Sequence, residues 1–250
     1  MSGLDVSVDS GVATLTLDRP EARNALTPEL IAELLQTLGE IARDPDGRAV
    51  VLRGASGSFC AGYDLNHLTS PGTAEAGRER DEVERVCAAL LGLRMPTVAA
   101  VAGVASGAGC DLAMSCDVRI ASEDARFAMP PARLGILYSP EGVGRLTSLV
   151  GPAVAKELLF TGTLIGAERA LAVGLVNRVV PAGSLDDEVS AFTAEVAGNA
   201  RLSVEASKLT VDGAPAAAIA RAQTIVWNSD DAREGARAFR ERRSPRFRGR

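Results

Sequence analysis

One histidine, two tyrosines and one tryptophan stand among 250 residues, and each scarcity removes a class of chemistry. A Ser-His-Asp or Cys-His device would have to run through His67, and a multi-histidine metal site is impossible. The four cysteines, Cys60, Cys87, Cys110 and Cys116, form no C-x-x-C pair. They read as buried thiols, not as a disulfide frame or a zinc site. Aromatic residues make up 4% of the chain, so small aliphatic side chains must fill the interior. No apolar run approaches the roughly 18 residues that span a bilayer; the longest, Thr97–Ala105, reaches half of that. The first residues lack a basic start, an apolar stretch and a small-residue cleavage site, so the expectation is a cytoplasmic protein without signal peptide or membrane partner. With 27 Lys+Arg against 32 Asp+Glu, the net charge of −5 argues against a nucleic-acid partner. Chemistry is left to carboxylates, tyrosines and backbone dipoles.

The patterning is that of an α/β chain. Val6–Val8 and Val12–Leu17 alternate apolar and polar residues around Asp9-Ser10-Gly11, which predicts a hairpin. Leu30, Ile31, Leu34, Leu35, Leu38 and Ile41 recur at a helical period, with Thr27 as N-cap and Pro28 in the first turn. Ala49–Arg53, Val98–Val101 and Asp117–Ala121 read as strands, Glu75–Leu93 as a charged helix with one apolar stripe, and Asp111–Met114 as helical. Beyond Pro181-Ala182-Gly183 only helical periods remain: Ser184–Ala197, Leu202–Val211, Ala216–Trp227 and Ala232–Arg242. The expected division is therefore a core over 1–182 and a helical region over 183–250. Residues 239–250 hold six arginines and one glutamate, either a solvated end or a surface for phosphates.

Two segments stand out chemically. Ser58-Phe59-Cys60-Ala61-Gly62-Tyr63-Asp64-Leu65 follows a strand, and Gly107-Ala108-Gly109-Cys110-Asp111-Leu112 ends a strand and opens a helix. Small residues let a ligand approach the backbone there, and free N–H groups at a helix start favour an anion. Two such donors converging on one oxygen form an oxyanion hole, which stabilises a developing enolate by about 3–4 kcal/mol per donor.

Taken with their surroundings these segments resemble the crotonase (enoyl-CoA hydratase/isomerase) superfamily. The likeness is carried by Arg19-Pro20-Glu21-Ala22-Arg23-Asn24-Ala25-Leu26, by Phe59 to Leu65 and by Gly107 to Met114. Cys116-Asp117, Ala125-Arg126-Phe127, Leu134-Gly135, Ala170 to Val176 and the end from Glu234 to Gly249 extend it over essentially the whole chain. The resemblance implies a spiral of ββα units followed by helices that build homotrimers, often paired into hexamers. It implies an acyl-coenzyme A thioester as ligand, the coenzyme being part of the substrate and no separate cofactor being needed. Arg23, Asn24, Ala25 and Leu26 would line the nucleotide and pantetheine site, with Ala61, Asp64 and Leu65 flanking the pantetheine. The N–H groups of Tyr63 and Ala108 would take the oxyanion positions, beside Gly62 and Gly107. Coenzyme A phosphates give part of the arginine-rich tail a role.

The catalytic carboxylates depart from the family pattern. Hydratases of the family use two acidic side chains to deliver water across the double bond. The first falls on Asp111, one methylene shorter than the usual Glu; the second falls on Pro131, which transfers no proton. Glu141, in Tyr138-Ser139-Pro140-Glu141-Gly142, is a possible replacement as acid or base, or simply an acidic residue at a helix start. Asp111 is either catalytic or a buried Asp satisfied by backbone donors. The run Phe127 to Tyr138 is similar to the family's methylmalonyl-CoA decarboxylases, which place a tyrosine near the thioester's carboxylate. Those enzymes carry a histidine where this chain has Tyr63, and His67, four residues on, reads as solvent-facing. Cys60 and Cys110 flank the oxyanion segments and read as packing residues. The expected activity is hydration of a 2-enoyl-CoA. Double-bond isomerisation and decarboxylation are the alternatives, and an acyl-CoA-binding protein with little catalysis is the second class, motivated by Pro131.

Overall fold

The computed structural model describes residues 3–67 and 74–249, for 74–80 the backbone alone. Strands β1 (Leu4–Asp9) and β2 (Val12–Leu17) form the expected hairpin. Its two turn residues, Ser10 and Gly11, both have positive φ, as a tight two-residue hairpin turn requires. Helix α1 (Pro28–Arg43) starts where the Thr27 hydroxyl accepts the Leu30 N–H, and it buries Leu30, Ile31, Leu34 and Leu38. At about 1.5–3 kcal/mol for each such side chain, that stripe holds the helix on the sheet. There follow β3 (Ala49–Gly54), α2 (Ala74–Leu91), β4 (Thr97–Val101), β5 (Val104–Ser106), α3 (Ala108–Met114), β6 (Val118–Ser122) and β7 (Arg126–Ala128). The short α4 (Pro131–Leu134) leads to α5 (Pro140–Thr161), which is broken at Gly151-Pro152. Then come β8 (Ile165–Gly166), α6 (Ala167–Ala172), β9 (Arg178–Val180), α7 (Leu185–Gly198), α8 (Arg201–Val211), α9 (Ala216–Asn228) and α10 (Asp230–Glu241).

Two sheets form. The larger has the order β1-β2-β3-β4-β6-β9, parallel after the first hairpin, and the smaller is β5-β7-β8. The chain steps from β4 in one sheet to β5 in the other and then into α3, and from β6 to β7 and then into α4 and α5. This is the ββα spiral. Period-2 alternation splits the larger sheet's side chains between its faces. Leu15, Val50, Leu52, Ala99, Val101 and Ala121 enter the main core with α1, whereas Val51, Val98, Ala100 and Ile120 pack against Leu185 and Val189 of α7. The first helix after Pro181 thus covers the sheet's second face. By contrast, α8 and α9 bury no residue fully, and Val211, Ile225 and Trp227 are exposed. No helix among the described residues is long and apolar enough to cross a membrane.

Candidate active site

The segment before α1 is shaped by one amide. Asn24 is fully buried, with φ near +58°. Its Nδ2 donates to the carbonyls of Ala55 (3.0 Å) and Ser58 (2.7 Å), while its Oδ1 accepts the Arg19 N–H. The side chain of this residue, expected to help line the nucleotide and pantetheine site, is engaged in holding the Arg19 segment against the loop from Ala55 to Ser58. Arg19 reaches the carbonyl of Ala25 and the carboxylate of Asp64 (3.1 Å), so Asp64 is likewise engaged internally. Burial pushes the Asp64 carboxyl up, but the Asn66 N–H and the Arg19 guanidinium outweigh it and hold it below its ordinary value. Arg23 and Leu65 are exposed, Ala25 and Leu26 buried, and Ala61 half-buried.

Leu26 pairs with Tyr63 in a single parallel bridge: its N–H donates to Gly62 and its carbonyl accepts from Asp64. In that pattern the N–H of Tyr63 itself points away from Leu26. A second bridge, Cys60 with Ala105, brings the same loop alongside β5. Gly62 has φ +105°, and a methyl group there would stand 2.7 Å from the carbonyl oxygen of Ser106 and 3.5 Å from the nitrogen of Ala108. Only glycine permits this approach. Ala108 opens α3, so its N–H has no carbonyl within the helix to bond. The two backbone segments expected to supply an oxyanion hole thus lie side by side.

Asp111 follows Ala108 by three residues and is buried. Arg145 of α5 grips both its oxygens, Nε to Oδ1 at 2.9 Å and Nη2 to Oδ2 at 3.0 Å. The other edge of the same guanidinium meets Glu84 of α2 at 2.8 and 2.7 Å, and the Ser139 hydroxyl donates to Glu84 at 3.0 Å. Burial raises the Asp111 carboxyl above its ordinary value; the Arg145 bonds oppose this and the Glu84 charge adds to it. Glu84 moves the other way, held down chiefly by its bonds to Arg145. Neither Glu84 nor Arg145 was expected from the sequence. Glu84 sits on a charged helix where a solvated face is the ordinary reading, and no spacing links it to a cation 61 residues away.

The Tyr138 hydroxyl stands 3.1 Å from where a side chain on Gly107 would begin, directly over the start of α3. Burial pushes its phenol well above the ordinary value, so it remains a donor. Pro131 is buried at the first position of α4. Glu141 is exposed in the first turn of α5, where Ser139 is the N-cap. His67 is exposed. All four cysteines are free and buried, and burial pushes Cys60, Cys110 and Cys116 up to about 12. No group of three His, Cys, Asp or Glu able to hold a metal occurs among the described residues.

The arginine-rich tail folds back on α10. Asp231 accepts the N–H groups of Arg248 and Gly249, and Glu234 binds Arg243, Arg237 and the Arg246 N–H. Those bonds lower Glu234 far below the ordinary carboxylate range, the Arg243 bond most. The guanidinium groups of Arg240, Arg242, Arg246 and Arg248 have no acidic partner among the described residues.

Known proteins resemble this chain over most or all of its length. The short-chain-enoyl-CoA hydratase of Clostridium acetobutylicum is 40% identical over 80% of this chain and 77% of its own. The crotonyl-CoA hydratase of Syntrophomonas wolfei is 34% identical over 94% of each. The crystal structure of an enoyl-CoA hydratase from Bacillus anthracis superposes over 100% of both chains with a TM-score of 0.92 at 29% identity. A sequence model described as enoyl-CoA hydratase/isomerase matches residues 7–250. On these grounds, and on the paired backbone segments around Gly62 and Ala108, the chain belongs to the enoyl-CoA hydratase/isomerase family.

Proposed function

We propose that the protein is a hydratase of 2-enoyl-CoA thioesters. The observation that carries the reading is the approach of Gly62-Tyr63 to Ala108, with the Asp111 carboxylate one helical turn further along α3. The thioester oxygen lies between the N–H groups of Tyr63 and Ala108, which polarise the conjugated double bond. Asp111 takes a proton from water as its oxygen bonds to C3, and the electron pair moves onto the thioester oxygen as an enolate. Collapse of the enolate, with a proton returned to C2, gives the 3-hydroxyacyl-CoA. The family's second acid is replaced by Pro131, so that proton comes back from Asp111 itself or from Glu141 at the α5 start. The coenzyme A phosphates pair with arginines of the tail that lack acidic partners, and no further cofactor takes part.

Pro131 favours a second reading, double-bond isomerisation, in which one carboxylate carries a proton between C2 and C4 and no second acid is needed. The test is incubation with crotonyl-CoA, a 3-enoyl-CoA and methylmalonyl-CoA, followed by mass spectrometry and chromatography. Gain of water by crotonyl-CoA is the expected result. Migration of the 3-enoyl bond without hydration supports the isomerase, and loss of carbon dioxide moves the chemistry to Tyr138. If Asp111→Asn and Glu141→Gln each leave turnover within about tenfold of the parent, the proton-transfer assignment is wrong. Binding without turnover of any ester identifies an acyl-CoA-binding protein.

The assembly is a homotrimer or a dimer of trimers in the same proposal. It is supported by α8 and α9, which present Val211, Ile225 and Trp227 to solvent in the single chain. Analytical ultracentrifugation tests it, and a monomer at micromolar concentration refutes it.

A further inference from the structure

Arg145 serves two carboxylates from two different helices. Its Nε and Nη2 face Asp111 on α3, and its Nη1 and Nη2 face Glu84 on α2. The Nη2 group is shared, at 2.7 Å from Glu84 and 3.0 Å from Asp111. Glu84 is in turn fixed by the Ser139 hydroxyl, which also accepts the Gly142 N–H at the head of α5. All three side chains are largely withdrawn from water, with 12% of Arg145, 10% of Asp111 and 22% of Glu84 exposed.

A guanidinium aimed at one carboxylate would orient it but would also stabilise its ionised form and make it a poor base. Here the single positive charge is divided between two acids. We propose that Glu84 is a positioning residue for Asp111: acting through Arg145, it locks the plane of the Asp111 carboxylate and draws off part of the charge that would otherwise quench it. The inference rests on the reading of Asp111 as the proton-transferring group. Among the described residues, the titratable groups facing Asp111 are Glu84 and Cys87 from α2, Arg145 from α5, Tyr138 before α5, and Cys110 on its own helix. Burial keeps both thiols and the phenol neutral, so Arg145 and Glu84 set the local charge.

Glu84→Gln tests the idea, because it preserves shape and removes the competing charge. Loss of that charge and release of Arg145 both favour ionised Asp111. The expected result is a fall in kcat of about tenfold, KM within about twofold, and an acid limb displaced to lower pH by about half a unit or more. Glu84→Asp, which keeps the charge with a shorter reach, should lie between the two, and it decides the matter if the Gln variant does not fold. A limb that stays in place, with or without a lower melting temperature, overturns the proposal and leaves Glu84 as scaffold. The same titration is read without turnover in the substrate-free protein, by the infrared band of protonated carboxyl that disappears in Asp111→Asn. If the parent does not hydrate crotonyl-CoA, the functional reading fails, while the displacement of this band still decides the role of Glu84.

Discussion

Gly142 lies so close to Oδ2 of Asp111 that a methyl group on its Cα would stand 2.6 Å from that oxygen. The head of α5 therefore forms the wall against which the carboxylate rests. Gly142→Ala should displace Asp111 or tilt the helix, at a cost of about 1–3 kcal/mol for overpacking. Turnover should fall at least about tenfold, because small displacements of a reacting group are costly. Kinetics and a thermal melt measure the two effects separately. Unchanged turnover would mean that Asp111 has slack in its site.

Activity should fail on the acid side at a higher pH than a solvated aspartate would allow. Burial raises Asp111, and a base is useful only when ionised. The rate therefore declines as pH falls through the raised value, above the roughly 3.9 of a free Asp side chain. A profile of kcat against pH locates that limb. In Asp111→Asn the limb should vanish together with about a hundredfold or more of the rate.

The Asp64–Arg19 contact makes an opposite prediction for stability. Asp64 is held below its ordinary value, so its contribution is present above the unfolded-state value and is lost as pH falls through the folded one. Asp64→Asn should cost about 1–3 kcal/mol at neutral pH. The gap between variant and parent in urea unfolding should close as the medium becomes strongly acidic. A gap independent of pH would show that the charge is immaterial.

The cysteines should be silent. All four are buried, and their raised thiols hold almost no thiolate at neutral pH. A chromogenic disulfide reagent should find no reactive thiol in the native protein and four after denaturation. Rapid labelling of Cys60 or Cys110 in the native state would contradict the closed packing around the two bridging loops.

Much of this architecture is written in local pattern. Thr27, Pro28 and the Leu30 to Leu38 stripe announce α1, and the small residues around Gly62 and Gly107 mark the two backbone segments that lie side by side. Strands β7, β8 and β9 were not legible, since two or three residues are too few for any period to register. The ionic partners of Asp111 escaped for a different reason. A salt bridge between helices far apart in sequence leaves no mark on the spacing of either helix, and Arg145 and Glu84 each look like ordinary surface charges. Asn24 shows the converse: its place in the motif was clear, but only the structure shows its amide bonded to Ala55 and Ser58.

The bridge between Leu26 and Tyr63 has a consequence for the order in which the protein can become competent. Its two residues are separated in sequence by all of α1 and β3, and the arrangement waits further for Ala108, then for Arg145 to secure Asp111. A chain emerging from the ribosome therefore lacks the full set of these contacts until Arg145, more than half of its length along, has been made.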